Sequence, residues 1–420
     1  MPAWALLVIG CRPATLLIDP IPERPWPDTP APVWGEVIDA APPDTGPTDT
    51  GPREGVAQEE VPGTTEDGSS TLYDDDEVAE FEVTLSDFAI NALTEEPFEY
   101  VSGAITYRGR KWDPVGVRVK GQNSFLPIDE KPSLKIKFDA YVDGGRFYGM
   151  SELTFNNLTN DYSMMHERVA YRLYREADLP APRCGHARVS INDDDRGLYS
   201  FVETIDWIFL SRWFDDPDGS LFEVWDVDFK DEYIDDFQLE SGPDDRTHLQ
   251  GAADAMERDG SAAMRDLEDH VDVEQFLRWW AVGAVVGQFD SYPYSYPGDD
   301  AHVYDDPDRD RLVFLPHGMD ETFYADDTDI EGVQGTLAKH CLEVSSCQDA
   351  FRAMVWDMAQ LSVDLDQHAY FEEVADQIHT EVQTDSSKPY STSTVMAYQE
   401  VMGEFIAERE DTLTELIGAP

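Results

Sequence analysis

The change in hydrophobic periodicity along this chain is the feature that most constrains its fold. Short alternating runs of Val, Ile, Thr and Tyr in segments 79–94 and 99–125 predict antiparallel β-strands. Apolar residues at helical spacing in segment 161–179 then predict an amphipathic helix. The later predicted elements are two strands at 186–192 and 197–205, helices at 206–214 and 272–288, strands at 302–304 and 311–315, and mainly helix at 350–417. This order predicts an α+β fold with a β-rich first lobe and a mainly helical second lobe.

The chain is strongly acidic. It has 87 Asp and Glu residues against 30 Lys and Arg, which gives a formal net charge of −57. A field of this sign repels nucleic-acid phosphates and anionic lipid headgroups, and it attracts cations and basic polypeptides. We therefore expect no nucleic-acid partner. A salt-adapted or simply soluble acidic surface is our favoured interpretation of the overall excess.

The first eleven residues resemble the signal segment and lipobox of a bacterial lipoprotein. The run from Ala3 to Ile9 is apolar, and Cys11 follows it. This resemblance implies an exported protein at the cell envelope or surface, with a lipid on Cys11 as its membrane contact. The alternative is an ordinary buried segment with a chance cysteine.

Residues 12–76 differ in composition from the rest of the chain. Of the 27 prolines, 12 fall between Pro13 and Pro62, together with Thr, Asp, Gly and Glu. Such a segment cannot bury enough apolar surface to offset chain entropy, so we expect a disordered stalk. The folded domain is predicted over 77–420, with lobes at about 77–205 and 206–420.

The cysteines are consistent with export. Cys341 and Cys347 close a small loop that suits a disulfide, and their spacing fits no zinc pattern. Cys184 is then left over as a buried free thiol.

Basic residues concentrate in one part of this acidic chain, with nine between Arg108 and Arg146. Alternation in segment 131–138 puts Lys131 and Lys135 on one face of a strand. Lysine ammoniums and the N–H groups of the neighbouring loop together hold phosphate oxygens, so we predict an anion site. A solvated strand face is the alternative.

Two loops of the second lobe carry acids where an element ends. The predicted helix 272–288 leads into Asp290, and the strand 311–315 leads towards Asp320. A lysine strand followed by two loop carboxylates is the serial order of a kinase-type phosphoryl transferase. In that chemistry Lys orients phosphates, one Asp holds the metal and another orients the acceptor hydroxyl. Asp is abundant here, so a plain turn residue is the alternative for Asp290.

Taken together, these segments resemble the spore-coat protein H (CotH) kinases, atypical protein kinases of bacteria and fungi. The resemblance covers roughly residues 115–410. It runs through VRVKGQNSF with KPSLKIKF, LTNDYSMMHERVAYRL, RGLYSFVETID, FDSYPYSYPGDDAHVYDD with LVFLPHGMDETF, and FIAERED. It implies a two-lobed atypical protein-kinase-like fold that uses ATP with Mg²⁺ or Mn²⁺.

The resemblance also implies roles for individual residues. Lys131 or Lys135 looks like the nucleotide-phosphate lysine, and Glu203 marks the stretch between the lobes, although a structural ion pair with an Arg such as Arg168 is the alternative. Asp290 looks like the acceptor-orienting Asp, and Asp320 like the metal-binding Asp. The segment that looks like a phosphate cover contains Arg118, Lys120, Asn123 and Ser124.

The chain departs from the family pattern at two places. The usual Trp-Asp-x-Asp is His317-Gly318-Met319-Asp320 here, so one carboxylate is missing. Paired asparagines are replaced by Asp299 and Asp300, and we take Asp300 as a candidate second metal ligand. A lone histidine after a proline is more often packed than functional, which is our interpretation of His317.

Three functions are compatible with the sequence. The first is an exported, membrane-tethered protein kinase that phosphorylates Ser or Thr of surface proteins, which would be basic if they match the acidic chain. The second is a catalytically degenerate kinase fold that serves as a binding or structural module. The third is another metal-dependent phosphotransferase or hydrolase.

Overall fold

The computed structural model describes residues 69, 72–73, 77–121, 123–324 and 328–418. The predicted signal segment and lipobox, and most of the predicted stalk, lie outside these residues. In the described part, no helix has both the length and the apolar character needed to cross a membrane.

The first lobe is a closed sheet of seven strands in the order β1-β2-β3-β4-β5-β7-β6. All neighbours pair antiparallel except β1 and β6, which run parallel. Aromatic rings such as Phe81, Phe155 and Phe201 fill its interior. The strands are β1 (Ala79–Leu85), β2 (Val101–Tyr107), β3 (Arg110–Lys120), β4 (Ser133–Lys137), β5 (Glu152–Asn156), β6 (Cys184–Ile191) and β7 (Asp194–Val202).

Two helices belong to this part of the chain. α1 (Asp87–Glu95) begins where Ser86 accepts a hydrogen bond from the Ala89 N–H, in a segment that the sequence predicts as β. α2 (His166–Glu176) follows β5, and its apolar side chains pack with the core of the second lobe. The helix therefore links the two lobes.

The second lobe combines a four-stranded sheet, in the order β11-β10-β8-β9, with eight helices among the described residues. One face of the sheet packs on α6, and the other packs on α3. Its elements are α3 (Trp207–Trp213), β8 (Ser220–Val224), β9 (Gln238–Ser241), α4 (Thr247–Met256), α5 (Gly260–Leu267), α6 (Val273–Val286), β10 (Ala301–Asp306), β11 (Arg311–Pro316), α7 (Thr336–Leu342), α8 (Ser345–Asp364), α9 (Gln367–Thr384) and α10 (Thr392–Ile417).

The predicted α+β class, with a β-rich first lobe and a mainly helical second lobe, is confirmed. Cys341 and Cys347 form a disulfide, and Cys184 is a buried free thiol. The predicted end of the stalk at residue 76 is too late. Leu72 and Tyr73 are buried in the core of the first lobe, where the Tyr73 ring stacks on Phe201 with 4.8 Å between ring centroids.

Candidate active site

The candidate site lies where β11 ends. Gly318 adopts a left-handed backbone with φ of 59°, a conformation that costs glycine least. The chain then makes a 3-10 turn, Met319–Glu321, in which Met319 is buried and Asp320 is half-buried. Gly318 thus turns the Asp320 carboxylate away from the strand and towards the first lobe.

The segment before α2 supports this turn. The His166 ring contacts the Asp320 carbonyl through Nδ1 at 2.8 Å, and Asn160 donates a hydrogen bond to the Asp320 carboxylate. The fully buried Asp161 carboxylate accepts from the N–H groups of Met164 and His166, each at 2.7 Å. Asp161 therefore fixes the start of α2 and, through His166, the position of Asp320.

Lys120, at the end of β3, approaches Asp320 from the first lobe. Its Nζ donates to Asn156 Oδ1 at 2.8 Å, and Asn156 Nδ2 donates to Glu167 Oε1 at 2.8 Å. Burial lowers the pKa of Lys120, while the charges of Glu167 and Asp320 act in the opposite direction. One amide therefore joins a strand lysine to a helix carboxylate beside Asp320.

Arg118 and Lys135 lie on the same sheet face as Lys120. Arg118 pairs with Lys135 across β3 and β4, and residues directly opposite one another share a face. Arg118 lies over the Tyr100 ring at 5.4 Å, and Lys135 pairs with Glu152 at 3.0 Å. These side chains give the first lobe a basic wall towards the second lobe.

The loop after β3 is hydrogen-bonded to the rest of the first lobe at Ser124 and exposed to solvent at Asn123. The Ser124 carbonyl accepts a hydrogen bond from Asn157 Nδ2 at 2.8 Å, which ties the loop to the end of β5. Asn123 is exposed. The structure thus brings Arg118, Lys120 and Lys135 together and places Ser124 and Asn123 in the adjoining loop.

Lys131 and Glu203 form ion pairs with other residues of the fold. Lys131 is buried and pairs with Asp385 at 2.9 Å, beside the end of α9. Glu203 is buried between Arg183, at 2.7 Å, and Arg212, so its partners are these two arginines and not Arg168. Both residues serve ion pairs within the fold, and we leave both out of the proposed site.

Asp300 occupies the space beside Gly318. A Cβ atom on Gly318 would overlap the Asp300 carboxylate. Gln288, which is fully buried, donates through Nε2 to Asp300 Oδ2 at 3.3 Å and to the Gly318 carbonyl. Its Oε1 has no hydrogen-bond partner among the described residues. The Asp300 carboxylate therefore fills the place of a side chain at position 318.

The carboxylates of this site are poorly compensated. Burial raises the pKa of Asp300 well above its usual range, and Asp320 and Asp299 raise it further. Burial also raises the pKa of Asp320. It raises the pKa of Glu167 to about 7. Crowded carboxylates of this kind favour a bound cation.

A Mg²⁺ ion fits the residues at this place. Mg²⁺ usually takes one or two protein carboxylates together with substrate phosphates and water, and Asp300 and Asp320 supply two. Among the described residues, no group of three or more His, Cys, Asp or Glu side chains is arranged to hold a metal alone. Two carboxylates are within the number that Mg²⁺ usually takes from a protein.

Asp290 lies at the outer edge of the site. It is exposed in the loop after α6, and its charge helps to raise the pKa values of Asp299, to about 6, and Asp300. Asp290 is therefore open to solvent.

His317 packs against another histidine, in line with our interpretation of it. Its ring meets the edge of His302 with 4.7 Å between centroids. Burial, with Lys120 and Lys135 nearby, lowers the pKa of His317 to about 4, so the ring is neutral at pH 7.

Sequence reasoning missed Asn156, Glu167 and His166. Glu167 lies in the first turn of α2, on the side that becomes buried. An acid on the apolar side of a predicted amphipathic helix was the one available signal. Asn156 gave none, because its role depends on contacts with both Lys120 and Glu167.

Comparison with known proteins decides the family. The profile described as CotH kinase protein matches residues 117–413. The chain belongs to the CotH kinase family. It is also 23% identical over 276 residues to the inner spore coat protein H of Bacillus subtilis (strain 168), a match that covers 58% of this chain and 74% of that protein. The resemblance predicted from the sequence is confirmed, and the chain is a kinase-family protein.

Two solved structures are similar at low TM-scores. One is the HipA, HipB and operator DNA complex of Shewanella oneidensis MR-1, with a TM-score of 0.35, 11% identity, and coverage of 81% of this chain and 74% of that chain. The other is the Helicobacter pylori proinflammatory kinase CtkA, with a TM-score of 0.28, 10% identity, and coverage of 71% and 95%. The family assignment rests on the sequence matches and not on these structures.

Proposed function

We propose that this CotH-family chain is an ATP- and Mg²⁺-dependent protein kinase that transfers phosphate to Ser or Thr hydroxyls. The observation that carries the proposal is the meeting of a strand lysine, Lys120, with two loop carboxylates, Asp300 and Asp320, at one place. Phosphoryl transfer needs positioning and charge stabilisation more than covalent chemistry, and these three groups supply both.

The basic wall of the first lobe would hold the phosphates. Lys120 is kept in place by Asn156, which also holds Glu167. Arg118 and Lys135 share its sheet face, so three cations stand on the side opposite the carboxylates. The three cations would attract a polyphosphate bound between the two sets of charges. The carboxylates would repel it, so a metal ion would be needed to offset that repulsion.

Asp300 and Asp320 would hold that metal ion. When bound, Mg²⁺ neutralises charge on the phosphate oxygens of the nucleotide. Gln288 and the Gly318 turn fix the direction of Asp300, and His166 and Asn160 fix that of Asp320. Asp290, exposed beside them, would accept the proton of the acceptor hydroxyl.

The departure from the family pattern is compatible with activity. Gly318 lacks the carboxylate of the Trp-Asp-x-Asp pattern, while Asp300 brings a carboxylate into the space beside Gly318. The carboxylate that the family pattern has at position 318 would therefore be supplied by Asp300 from a neighbouring loop. This supports an active kinase over a degenerate binding module.

We also propose a setting for the kinase, based on the resemblance of the Cys11 segment to a lipobox and on the charge. We infer export and a lipid tether on Cys11, with the stalk holding the domain away from the membrane. A net charge of −57 favours a basic acceptor protein at the cell surface.

Analysis of products from γ-labelled and α-labelled ATP tests the proposal. We expect the γ-label on Ser or Thr of a basic acceptor such as histone or protamine, with no transfer by Asp320→Asn. Label released only as inorganic phosphate would indicate a hydrolase, and α-label on protein would indicate a nucleotidyl transferase. No product from either nucleotide, in a chain that still binds a partner, would favour the binding module.

A further inference from the structure

A small basic patch lies in the acidic second lobe, and the proposed chemistry does not use it. Residues 206–420 contain three lysines, and two of them approach the ring of Tyr296. The Nζ atoms of Lys230 and Lys339 lie 4.5 Å and 5.7 Å from the centroid of this ring. Lys230 Nζ also donates a hydrogen bond to the Tyr296 phenol oxygen at 3.0 Å. Tyr296 is 50% exposed. These three residues are named here the lysine patch.

A buried carboxylate holds the lysine patch together. Asp228 is fully buried and pairs with Lys230 at 3.2 Å. It accepts a hydrogen bond at 2.9 Å from the hydroxyl of Tyr292, in the loop that contains Tyr296. It accepts another at 3.1 Å from the N–H of Thr336, at the start of α7, which carries the second lysine. The three segments of the patch therefore meet at Asp228, which fixes them relative to one another.

The patch keeps positive charge and hydrogen-bond donors in an acidic chain. The protein has 87 Asp and Glu residues against 30 Lys and Arg, yet Lys339 is exposed and forms no ion pair with any residue that the structure describes. An ammonium group has three N–H donors, and the contacts of Lys230 with Asp228 and Tyr296 use two of them. Both lysines can therefore donate to an anion.

A phosphate group suits the lysine patch better than other ligands. A phosphomonoester carries a charge of about −1.5 to −2 at pH 7 and has three acceptor oxygens. Two ammoniums and one phenol hydroxyl match that charge and that number of oxygens. A carboxylate has one charge and two oxygens, so it would use the patch less completely. A metal ion would be repelled by both lysines.

The lysine patch lies beside the acceptor side of the candidate active site. Tyr296 and Asp290 belong to one loop, between α6 and β10. Ser295, next to Tyr296, accepts through Oγ from the Asp299 N–H at 3.0 Å. The charge of Asp290 in turn acts on Asp299. A polypeptide with a hydroxyl at Asp290 can therefore extend over the lysine patch.

We propose that Lys230, Lys339 and Tyr296 bind a phosphorylated side chain of the acceptor protein, a Ser or Thr that has already received its phosphate. A phosphorylated residue held there places a neighbouring hydroxyl of the same polypeptide at Asp290. Each transfer would then favour the next on an acceptor with several Ser or Thr residues. This inference rests on the proposed function, because it takes Asp290 as the group that meets the acceptor hydroxyl.

Peptide binding to the full chain tests the lysine patch without ATP. Two arginine-rich peptides of the same sequence, one with Ser and one with phosphoserine at the same position, are compared by calorimetry, and inorganic phosphate is the third ligand. The variants are Lys339→Met, which changes an exposed side chain, and Tyr296→Phe, which keeps the ring and removes the hydroxyl. Lys111→Met is the matched control, because Lys111 is a first-lobe lysine whose side chain is 50% exposed and its loss changes the net charge equally.

We expect the wild-type chain to bind the phosphoserine peptide about tenfold more tightly than the serine peptide, as a hydrogen bond to a charged group allows. Lys339→Met should remove most of this preference, Tyr296→Phe should reduce it, and Lys111→Met should leave it unchanged. Equal affinity for the two peptides, or a preference that neither site variant changes, would overturn the inference. Inorganic phosphate that binds as tightly as the phosphoserine peptide would also overturn it, since the site would then take the free ion.

Transfer of the γ-label tests the proposed function separately. Label transfer by a chain that shows no preference for the phosphoserine peptide would leave the proposed function standing and remove the inference. A preference that depends on Lys339, in a chain that transfers no label, would support the lysine patch as a phosphate site and overturn the kinase.

Discussion

At the scale of single residues, the shared amide of Asn156 explains how opposite charges coexist beside Asp320. It accepts from Lys120 and donates to Glu167, so each of the two groups has a hydrogen-bond partner. If the proposed function holds, this arrangement would take the place of the lysine and helix-glutamate pair of a kinase, with an amide between the two groups.

Glu167 makes the stability of the apo chain depend on pH. Burial raises the pKa of Glu167 from 4.5 to about 7. Its contribution to stability is therefore complete below about pH 4.5 and is lost as the pH rises through 7. Glu167→Gln, which cannot ionise, should become more stable relative to wild type over this range. Denaturant unfolding in metal-free buffer measures this difference, and a difference that stays constant from pH 4.5 to 7.5 would contradict the assignment.

Asp300 and Gly318 should behave as an exchangeable pair. Asp300→Asn should weaken metal-dependent ATP binding about as much as Asp320→Asn, because each removes one carboxylate ligand. Asp300→Ala combined with Gly318→Asp should restore binding, since truncation at position 300 frees the space that a side chain at position 318 needs, and Asp tolerates a left-handed backbone better than most residues. Calorimetric affinities for Mg²⁺–ATP test this, and a double variant no better than Asp300→Asn alone would refute the exchange.

The lysines illustrate what a sequence can predict at this scale. Alternation placed Lys135 on the face of β4 opposite Leu134 and Ile136, and Lys135 is the one half-buried residue of this otherwise buried strand. Lys131 was misjudged because it precedes the strand and because its partner, Asp385, is 254 residues away. Lys120 was predicted as part of the phosphate-covering segment, and that role stays a prediction, whereas its partner Asn156 could be found only from the folded chain.

At the scale of elements, helix boundaries depend on caps that a hydrophobic pattern does not reveal. The helix predicted at 161–179 begins at His166, because Asp161 folds back to accept from N–H groups of the following turn. No prediction was made for β5, β8 or β9, whereas regular patterns allowed β4, β6, β7, β10, β11 and α6 to be predicted within a few residues. The closure of the first-lobe sheet by a parallel β1–β6 pair was not predicted, because it joins distant segments.

Arg409 on α10 should stabilise the end of α6. Its guanidinium is buried and donates to the Val285 carbonyl at 3.1 Å and the Ala284 carbonyl at 2.6 Å. These are the carbonyls that a helix end leaves without partners. Arg409→Met should lower the free energy of unfolding by about 1.5–3 kcal/mol, the range for hydrogen bonds to a charged group.

The matched control is Arg258→Met, whose guanidinium is largely exposed and pairs with Asp266 at the surface. It should change stability by less than about 0.5 kcal/mol. Equal changes in the free energy of unfolding for the two substitutions, measured in urea, would show that the contacts of Arg409 with the end of α6 add no stability.

At the scale of the whole molecule, α9 and the loop after it hold the first lobe against the second. Asp385, at the end of α9, accepts from Lys131 and from the Leu198 N–H at 2.9 Å each. Gly197 leaves the space that the Asp385 carboxylate fills. The family match, the predicted lobes and the charge were accessible from sequence, but this interlobe contact was not.

Lys131→Met should therefore act on stability and not on nucleotide binding. Removing one partner leaves the Asp385 charge buried, which costs about 3–5 kcal/mol. We expect a lower melting temperature but, below it, an unchanged ATP affinity. A Lys131→Met variant with normal stability but without ATP binding would indicate instead that Lys131 belongs to the nucleotide site.

The most direct test of the central claim is calorimetry of ATP binding to the full chain with Mg²⁺ and without metal. Asp320→Asn and Asp385→Glu, which keeps the carboxylate in the interlobe contact, are compared with wild type. The account predicts binding that requires the metal, is lost in Asp320→Asn and persists in Asp385→Glu. ATP binding that is equally strong without metal, or that survives Asp320→Asn, would contradict it.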